Sequence, residues 1–597
     1  MSKRDTFNYS EARKNSQAAG ETPLWYTTAG YQLFMKKYSN EGESVRSRFE
    51  TVARAMAQHA PMVYPEWWEN DEYTRGKDWE QVFFDVMWDG FVSPSTPLLS
   101  NGGLRKKGTT VSCAGGLMDN NLYDRYNVMT EIAVLTKHSH GTSFSLTNWP
   151  SEGDAIRGGE SQGVMPVIRD VINVMEEVAQ GSRRGSCAYS INPRHGDFWN
   201  VIDHLYKRTE SNNVGWLLDD NWCKAMAEKD PETLKRWKRM MFVKLARGKG
   251  YFTFIDKMNR HLAEPFKRAG LKVEASNLCQ ETVLPANDQY TFSCVILNYN
   301  LELYRSWPKH LVFIGQVMSD CNISEYIATM DEVSIQDRRA LEKIYRFTKN
   351  FRALGSGVLG FHTLLQRERF PVGSMDAMFL NNAIFKGMKE QAEACNSWLA
   401  AVLGEPEGCR GLGKRNATTT MMPPTKSTAE LMAGASEGIG LDVAMCFTKQ
   451  SAGGEFFRVN KVLLEIIQER GLDWEECARQ INERKGSVQH VDWLTDHEKA
   501  VFRTAFEVRM EDTYDCVPSG RSTSTKGKAS TFISRRMTRR LTSRTSIVWP
   551  WKTRTSSRYT TSIVCEVLGI FPERKNVKCA CKIIGPGLDS FRAFCVF

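Results

Sequence analysis

From Glu43 to His59 and again from Asp78 to Phe91, apolar residues recur at intervals of three and four, the spacing of one buried helix face. Residues 1–90 therefore read as a helical region. The same period predicts helices from Gly163 to Gln180, from Val333 to Leu354 with a strongly basic outer face, over 375–404, from Asn460 to Gly471 and from Asp496 to Met510. Between 91 and 200, short apolar runs alternate with glycine-rich turns. Asn101-Gly102-Gly103 and His140-Gly141-Thr142-Ser143 are expected to be loops there. A mixed α and β chain follows. After about Val508 the pattern lapses into Ser, Thr and Arg without hydrophobic period, as far as Lys578-Cys579-Ala580-Cys581-Lys582.

At 597 residues the chain can hold one large domain with additions or several smaller ones. No apolar run reaches membrane-span length, and the polar start Met1-Ser2-Lys3-Arg4-Asp5 is not a signal peptide, so a cytoplasmic protein with no membrane partner is expected. Its fifteen cysteines should then be mostly reduced thiols, and no Cys-x-x-Cys suggests a zinc ribbon. The net charge of +10 invites a nucleic-acid reading until it is located. Eleven Lys and Arg, and no Asp or Glu, lie between Cys516 and Cys565, so the body of the chain is close to neutral.

The stretch with most chemistry is Asn277-Leu278-Cys279-Gln280-Glu281-Thr282, followed by Phe292-Ser293-Cys294. If it runs extended, alternation puts Asn277, Cys279 and Glu281 on one face. A carboxylate could then take a proton from a hydroxyl, an amide could hold that oxygen, and a thiol could act as nucleophile or one-electron carrier. Taken alone, the triplet equally describes a half-buried strand with a structural cysteine. Pro424-Thr425-Lys426-Ser427-Thr428, before an apolar run from Ala429, reads as a phosphate cradle or as a simple helix cap. Gly355-Ser356-Gly357-Val358-Leu359-Gly360 fits Gly-x-Gly-x-x-Gly, but a helix precedes it, so a dinucleotide fingerprint is rejected. His138, His140 and His195 lack ligand spacing and read as structural or surface residues. No carboxylate and histidine set has di-iron spacing, so no metal site is assigned.

Together these motifs resemble the large, catalytic subunit of ribonucleotide reductase. The resemblance implies that Cys279 carries a thiyl radical at the tip of a finger loop, that Glu281 is the base on the ribose 3' hydroxyl with Asn277 as its partner, and that Cys113 and Cys294 form the redox pair. It places Ser95-Thr96-Pro97, Ser112 and the turn Pro424, Thr425, Lys426, Ser427 and Thr428 against substrate. Asp119, the loop from His140 to Gly159, and Arg183 with Arg184 fall where the family reads an ATP or dNTP effector. The implied architecture is an α/β fold: a ten-stranded α/β barrel over 91–508 around the finger loop, preceded by the helical region 1–90, with an atypical tail over 509–597. Cys113 lies too near the start for an ATP-cone before the helical lead-in, so no activity-site control is expected. The implied function is reduction of ribonucleoside diphosphates. The radical comes from a separate metallo-subunit (class I), electrons come from thioredoxin or glutaredoxin, and the chain forms a homodimer. Adenosylcobalamin (class II) is the alternative radical source.

The family's tail should carry Gln-Gly-Gln, Leu-Tyr-Tyr and a terminal cysteine pair, none of which is printed here. Shifted by one base, the codons of Thr525-Lys526-Gly527-Lys528 permit Gln-Gly-Gln. Those of Arg558-Tyr559-Thr560-Thr561 permit Leu-Tyr-Tyr, and Asn576 through Lys582 permit Cys-Glu-Val-Cys-Val and a stop. A single-base frameshift near 508–520 is therefore expected, leaving the printed tail out of frame and disordered. The rival is a genuine basic tail that binds nucleic acid, on a relic that holds nucleotides without turnover.

Overall fold

A computed structural model describes residues 8–40, 42–104, 108–178, 185–207, 212–451 and 454–509. The helical region begins as expected. Its Val45–Ala57 helix is capped by Ser44, its Trp79–Trp88 helix by Asp78, and both bury one face in a shared core with Leu33, Phe34 and Trp68. The Met165–Glu177 and Met375–Leu403 helices also follow the periodicity.

Twelve strands follow in chain order: β1 (Val92–Pro94), β2 (Cys113–Leu117), β3 (Gly141–Ser145), the hairpin β4 (Glu152–Ile156) and β5 (Gly159–Gln162), β6 (Cys187–Ile191), β7 (Asn212–Leu217), β8 (Tyr251–Thr253), β9 (Phe292–Asn300), β10 (Leu354–Leu359), and the hairpin β11 (Cys446–Ser451) and β12 (Gly454–Val459). Eight of them form one curled sheet in the order β1-β9-β2-β3-β6-β7-β8, with β10 on the other edge of β9. The run from β2 through β8 is parallel, and β9 joins it antiparallel to β2 and parallel to β10. This is a half-barrel of parallel strands with helices outside and the helical domain before it.

Two faces of the sheet differ in kind. Phe144, Tyr189, Val214 and Trp216 point into an apolar core with the outer helices. The other face, on which Cys113 pairs with Gly141, carries Ser143, Ser145, Ser190 and Gly215. Small polar side chains leave the barrel interior open for another segment.

Three expectations change. His140-Gly141-Thr142-Ser143 is no loop: residues 141–143 start β3, because their small side chains suit the inward face of a parallel strand. The helix expected from Val333 to Leu354 is two, Ile335–Ala340 and Glu342–Phe351. It ends where Arg352 turns left-handed (φ 43°) and its buried guanidinium meets Asp320 at 2.8 Å. The final helix, Asp496–Val501, is shorter than its periodic pattern.

The glycine run lies in β10 itself. A Cβ on Gly355 would sit 2.2 Å from Met421 Cε and one on Gly357 2.3 Å from Pro423 Cδ, so these glycines let residues 418–423 lie flat on the strand. Leu354 N–H donates to Thr418 O (2.9 Å) and Met421 N–H to Ser356 O (3.1 Å) along that contact.

Candidate active site

The stretch 276–282 is not a strand. Gln280 takes a left-handed conformation (φ 62°) and its N–H donates to Asn277 O at 2.9 Å, closing a tight turn. The side chain of Asn277 explains the turn. Its Oδ1 accepts from Glu281 N–H (3.0 Å) and Thr282 N–H (3.2 Å), while its Nδ2 donates to Glu281 Oε1 at 2.6 Å. Asn277 and Glu281 are therefore neighbours through a hydrogen-bonded loop, not through the alternation of a strand.

The turn sits inside the half-barrel. Leu278 lies against Gly141 of β3, where any Cβ would come within 2.8 Å of its Cδ2, and Gln280 lies against Gly215 of β7. Thr253 of β8 donates to Gln280 Oε1 at 2.8 Å. The expected passage of the loop through the barrel is what these contacts produce.

Cys279, at the tip, remains accessible to water although protein surrounds it, as at the floor of a recess. A hydrogen bond with the Cys113 thiol, then burial and the nearby Glu281 carboxylate, push its pKa well above the ordinary thiol range; the Lys426 charge acts the other way. The group is thus a protonated thiol at neutral pH. A nucleophilic cysteine needs the opposite, a thiolate favoured by cationic surroundings. A held S–H bond suits hydrogen-atom transfer.

Cys113 and Cys294 are buried and directly opposite each other on the antiparallel β2 and β9. Such partners have Cβ atoms about 4.5–5.5 Å apart, close to what a disulfide requires. Three thiols, one carboxylate and one amide thus converge.

On the turn 424–428, Thr425 is left-handed (φ 49°), and its Oγ1 accepts from Gly438 N–H at 2.7 Å. Thr428 Oγ1 donates to Thr425 O (3.0 Å), so these two hydroxyls brace the turn that opens the Lys426–Leu431 helix. Pro424 and Lys426 are exposed, and Ser427 is half-buried. Thr96 shares a hydrogen bond with Tyr38 Oη (3.1 Å), and Ser112 O accepts from Gly141 N–H (2.9 Å) at the start of β3.

Of the effector candidates, Asp119 lies in the turn after β2, its N–H donating to Asp124 Oδ2 at 2.6 Å, and the segment after β3 forms the exposed β4–β5 hairpin. Arg183 and Arg184 lie outside the described residues, as does the tail. His138, His140 and His195 are held by Asp337 (3.0 Å), Tyr326 Oη (2.9 Å) and Trp149 O (2.7 Å), which suits structural roles.

Sequence reasoning passed over Tyr251, Lys37 and Tyr38. Tyr251 of β8 lies near enough to Cys279 and Glu281 that burial first, and then those two groups, push its phenol up to about 12. Lys37 Nζ donates to Ser427 Oγ at 3.1 Å. Neither position carries a motif that could have singled it out.

A family model described as "Ribonucleotide reductase, barrel domain" matches residues 111–236, 220–411 and 406–519, and one described as "Ribonucleotide reductase, all-alpha domain" matches 24–107. The chain belongs to the ribonucleotide reductase large-subunit family. Among its relatives is a putative ribonucleoside-diphosphate reductase large subunit of Frog virus 3, 28% identical over 73% of this chain and 80% of that protein. Another is the vitamin B12-dependent ribonucleoside-diphosphate reductase of Thermoplasma acidophilum, 26% identical over 71% of this chain and 57% of that protein. The alpha subunit of the class Id ribonucleotide reductase of Actinobacillus ureae superposes with a TM-score of 0.73 at 28% identity, covering 83% of this chain and 88% of that one. The helical domain followed by an α/β barrel is the reductase arrangement. No helix among the described residues is long and apolar enough to cross a membrane.

Proposed function

We propose that this chain is the catalytic subunit of a ribonucleotide reductase that converts ribonucleoside diphosphates to deoxyribonucleotides. The observation that carries the reading is the convergence of a protonated Cys279 with the Asn277–Glu281 pair and the facing Cys113 and Cys294 inside one half-barrel.

The chemistry divides among these groups. An external radical source, which we take to be a metal-bearing partner subunit, removes an electron and a proton from Cys279. The Cys279 sulfur then takes the 3' hydrogen atom of the ribose while Glu281, held by Asn277 Nδ2, takes the 3' hydroxyl proton. The 2' hydroxyl leaves as water. Cys113 and Cys294 provide the two electrons and two protons that balance its loss and become a disulfide. Cys279 finally returns its hydrogen atom to the 3' carbon. Burial of the sulfur at the floor of a recess protects an open-shell intermediate from solvent. The hydroxyl turn at Thr425, Ser427 and Thr428, with Thr96 and Ser112, holds the nucleotide. Asp119, Arg183 and Arg184 serve the effector, and thioredoxin or glutaredoxin restores the thiols.

The printed tail lacks the tyrosine pair and the cysteine pair that this cycle needs. We read it as out of frame, and the family match reaching residue 519 agrees with a shift near that point. Two measurements test the whole. Tandem mass spectrometry of the natively expressed C-terminus should give a peptide ending in Cys-x-x-Cys; the printed ending through Phe597 would refute the frameshift. With the in-frame tail and the partner subunit, Cys279→Ser should abolish turnover and keep nucleotide affinity; retained turnover would refute the mechanism. Radical formation with adenosylcobalamin alone would move the chain to class II.

A further inference from the structure

The hydroxyl turn is electrically weak for its proposed task. Thr425 and Thr428 spend their hydroxyls bracing the turn, and the Lys426–Leu431 helix has only six residues, so its dipole is small. A diphosphate brings two to three negative charges and is held best by charge-assisted hydrogen bonds. Two described lysines stand at this turn. Lys426 faces the reacting end, since its charge is felt at Cys279. The other comes from a different part of the chain: Lys37, in the last turn of the Thr28–Lys37 helix, donates to Ser427 Oγ across 390 residues of sequence.

The placement of Lys37 is built in. A Cβ on Gly30 would lie 3.2 Å from Glu430 O and 3.3 Å from Leu431 O, so this glycine lets the Thr28–Lys37 helix dock on the far end of the Lys426–Leu431 helix. Tyr38, fully buried, fixes the next position through its bond to Thr96. Two consecutive residues of the helical domain thus contact both parts of the substrate cradle, Ser427 and Thr96.

We propose that Lys37 is a substrate-binding residue of the helical domain, pairing with the terminal phosphate of the nucleotide so that diphosphate is distinguished from uncharged nucleoside. This rests on the function proposed above and adds to it a residue that lies outside the barrel.

Equilibrium titration of the full chain with cytidine diphosphate and, separately, cytidine tests the assignment. Wild type should prefer the diphosphate. Lys37→Met should weaken cytidine diphosphate by at least about tenfold and leave cytidine unchanged, which also shows that the fold is intact. Lys37→Arg should keep most of the preference, Lys36→Met all of it, and the salt dependence of diphosphate binding should fall in Lys37→Met alone. A preference that survives in Lys37→Met overturns this assignment by itself. A wild-type chain that holds cytidine diphosphate no better than cytidine overturns it together with the proposed function.

Discussion

Asn277→Ala offers the sharpest test of how the finger turn is held. The residue is fully buried, and its amide makes three hydrogen bonds: acceptances from Glu281 N–H and Thr282 N–H and a 2.6 Å donation to Glu281 Oε1. Two neutral bonds contribute about 1 kcal/mol each and the charged one about 1.5–3 kcal/mol, so the set holds the turn by roughly 4 kcal/mol. Water entering the space left by the amide would recover part of this, leaving about 3 kcal/mol. The left-handed Gln280, itself costing of order 1 kcal/mol, adds to the tendency to spring open. Since 1.4 kcal/mol is tenfold, local opening should become about a hundred times more frequent. Hydrogen exchange read by mass spectrometry on the peptide covering 276–284 measures this directly. Protection there should fall by about two decades while β9 keeps its own. Asn277→Asp retains the acceptor oxygen, so its backbone amides should stay protected even though a second carboxylate now faces Glu281. Exchange unchanged in Asn277→Ala, or lost equally from β9, would refute the account of the turn.

Two further outcomes are expected. Mild oxidation of the reduced chain should join Cys113 to Cys294, as mapped by peptide mass, because they face each other across β2 and β9; a Cys113–Cys279 product in their place would contradict that pairing. Burial raises the Glu131 carboxyl from 4.5 to about 7, against the opposing effects of Lys343 and Thr291. The folded state then keeps a proton that the unfolded chain releases, so stability should decline by about 3 kcal/mol as pH rises from about 4.5 to 7 and level off above. Urea unfolding at pH 5 and 7.5 should show that decline reduced in Glu131→Gln, and equal declines in the two proteins would refute it.

Much of this was legible in the chain because local rules and global fold agree. The Met375–Leu403 helix carries its apolar period throughout, and Gly355 and Gly357 read as packing glycines once a helix was seen before them. Where the reading failed, side chains overrode the local pattern. Asn277 to Thr282 has the alternation of a strand, yet one buried amide folds it into a turn. Gly141-Thr142-Ser143 has loop composition, yet it forms β3, since the inner face of this sheet is required to be small and polar rather than greasy. Arg352 ends a helix whose periodicity continues, because its charge has a buried partner in Asp320 on the Leu311–Asp331 helix. No local rule can relate Lys37 to Ser427, which meet only when the helical domain packs on the barrel.

That meeting makes the nucleotide a fastener. A ligand gripped from both sides of the seam between the Thr28–Lys37 and Lys426–Leu431 helices binds the docked arrangement and not the parted one, so it stabilises docking by the same free energy with which docking strengthens binding. At a hundred times its dissociation constant it would contribute about 2.7 kcal/mol to holding the helical domain on the barrel. By reciprocity, a substitution that loosens the seam at Gly30, well away from any reacting atom, would register first as a loss of affinity for substrate.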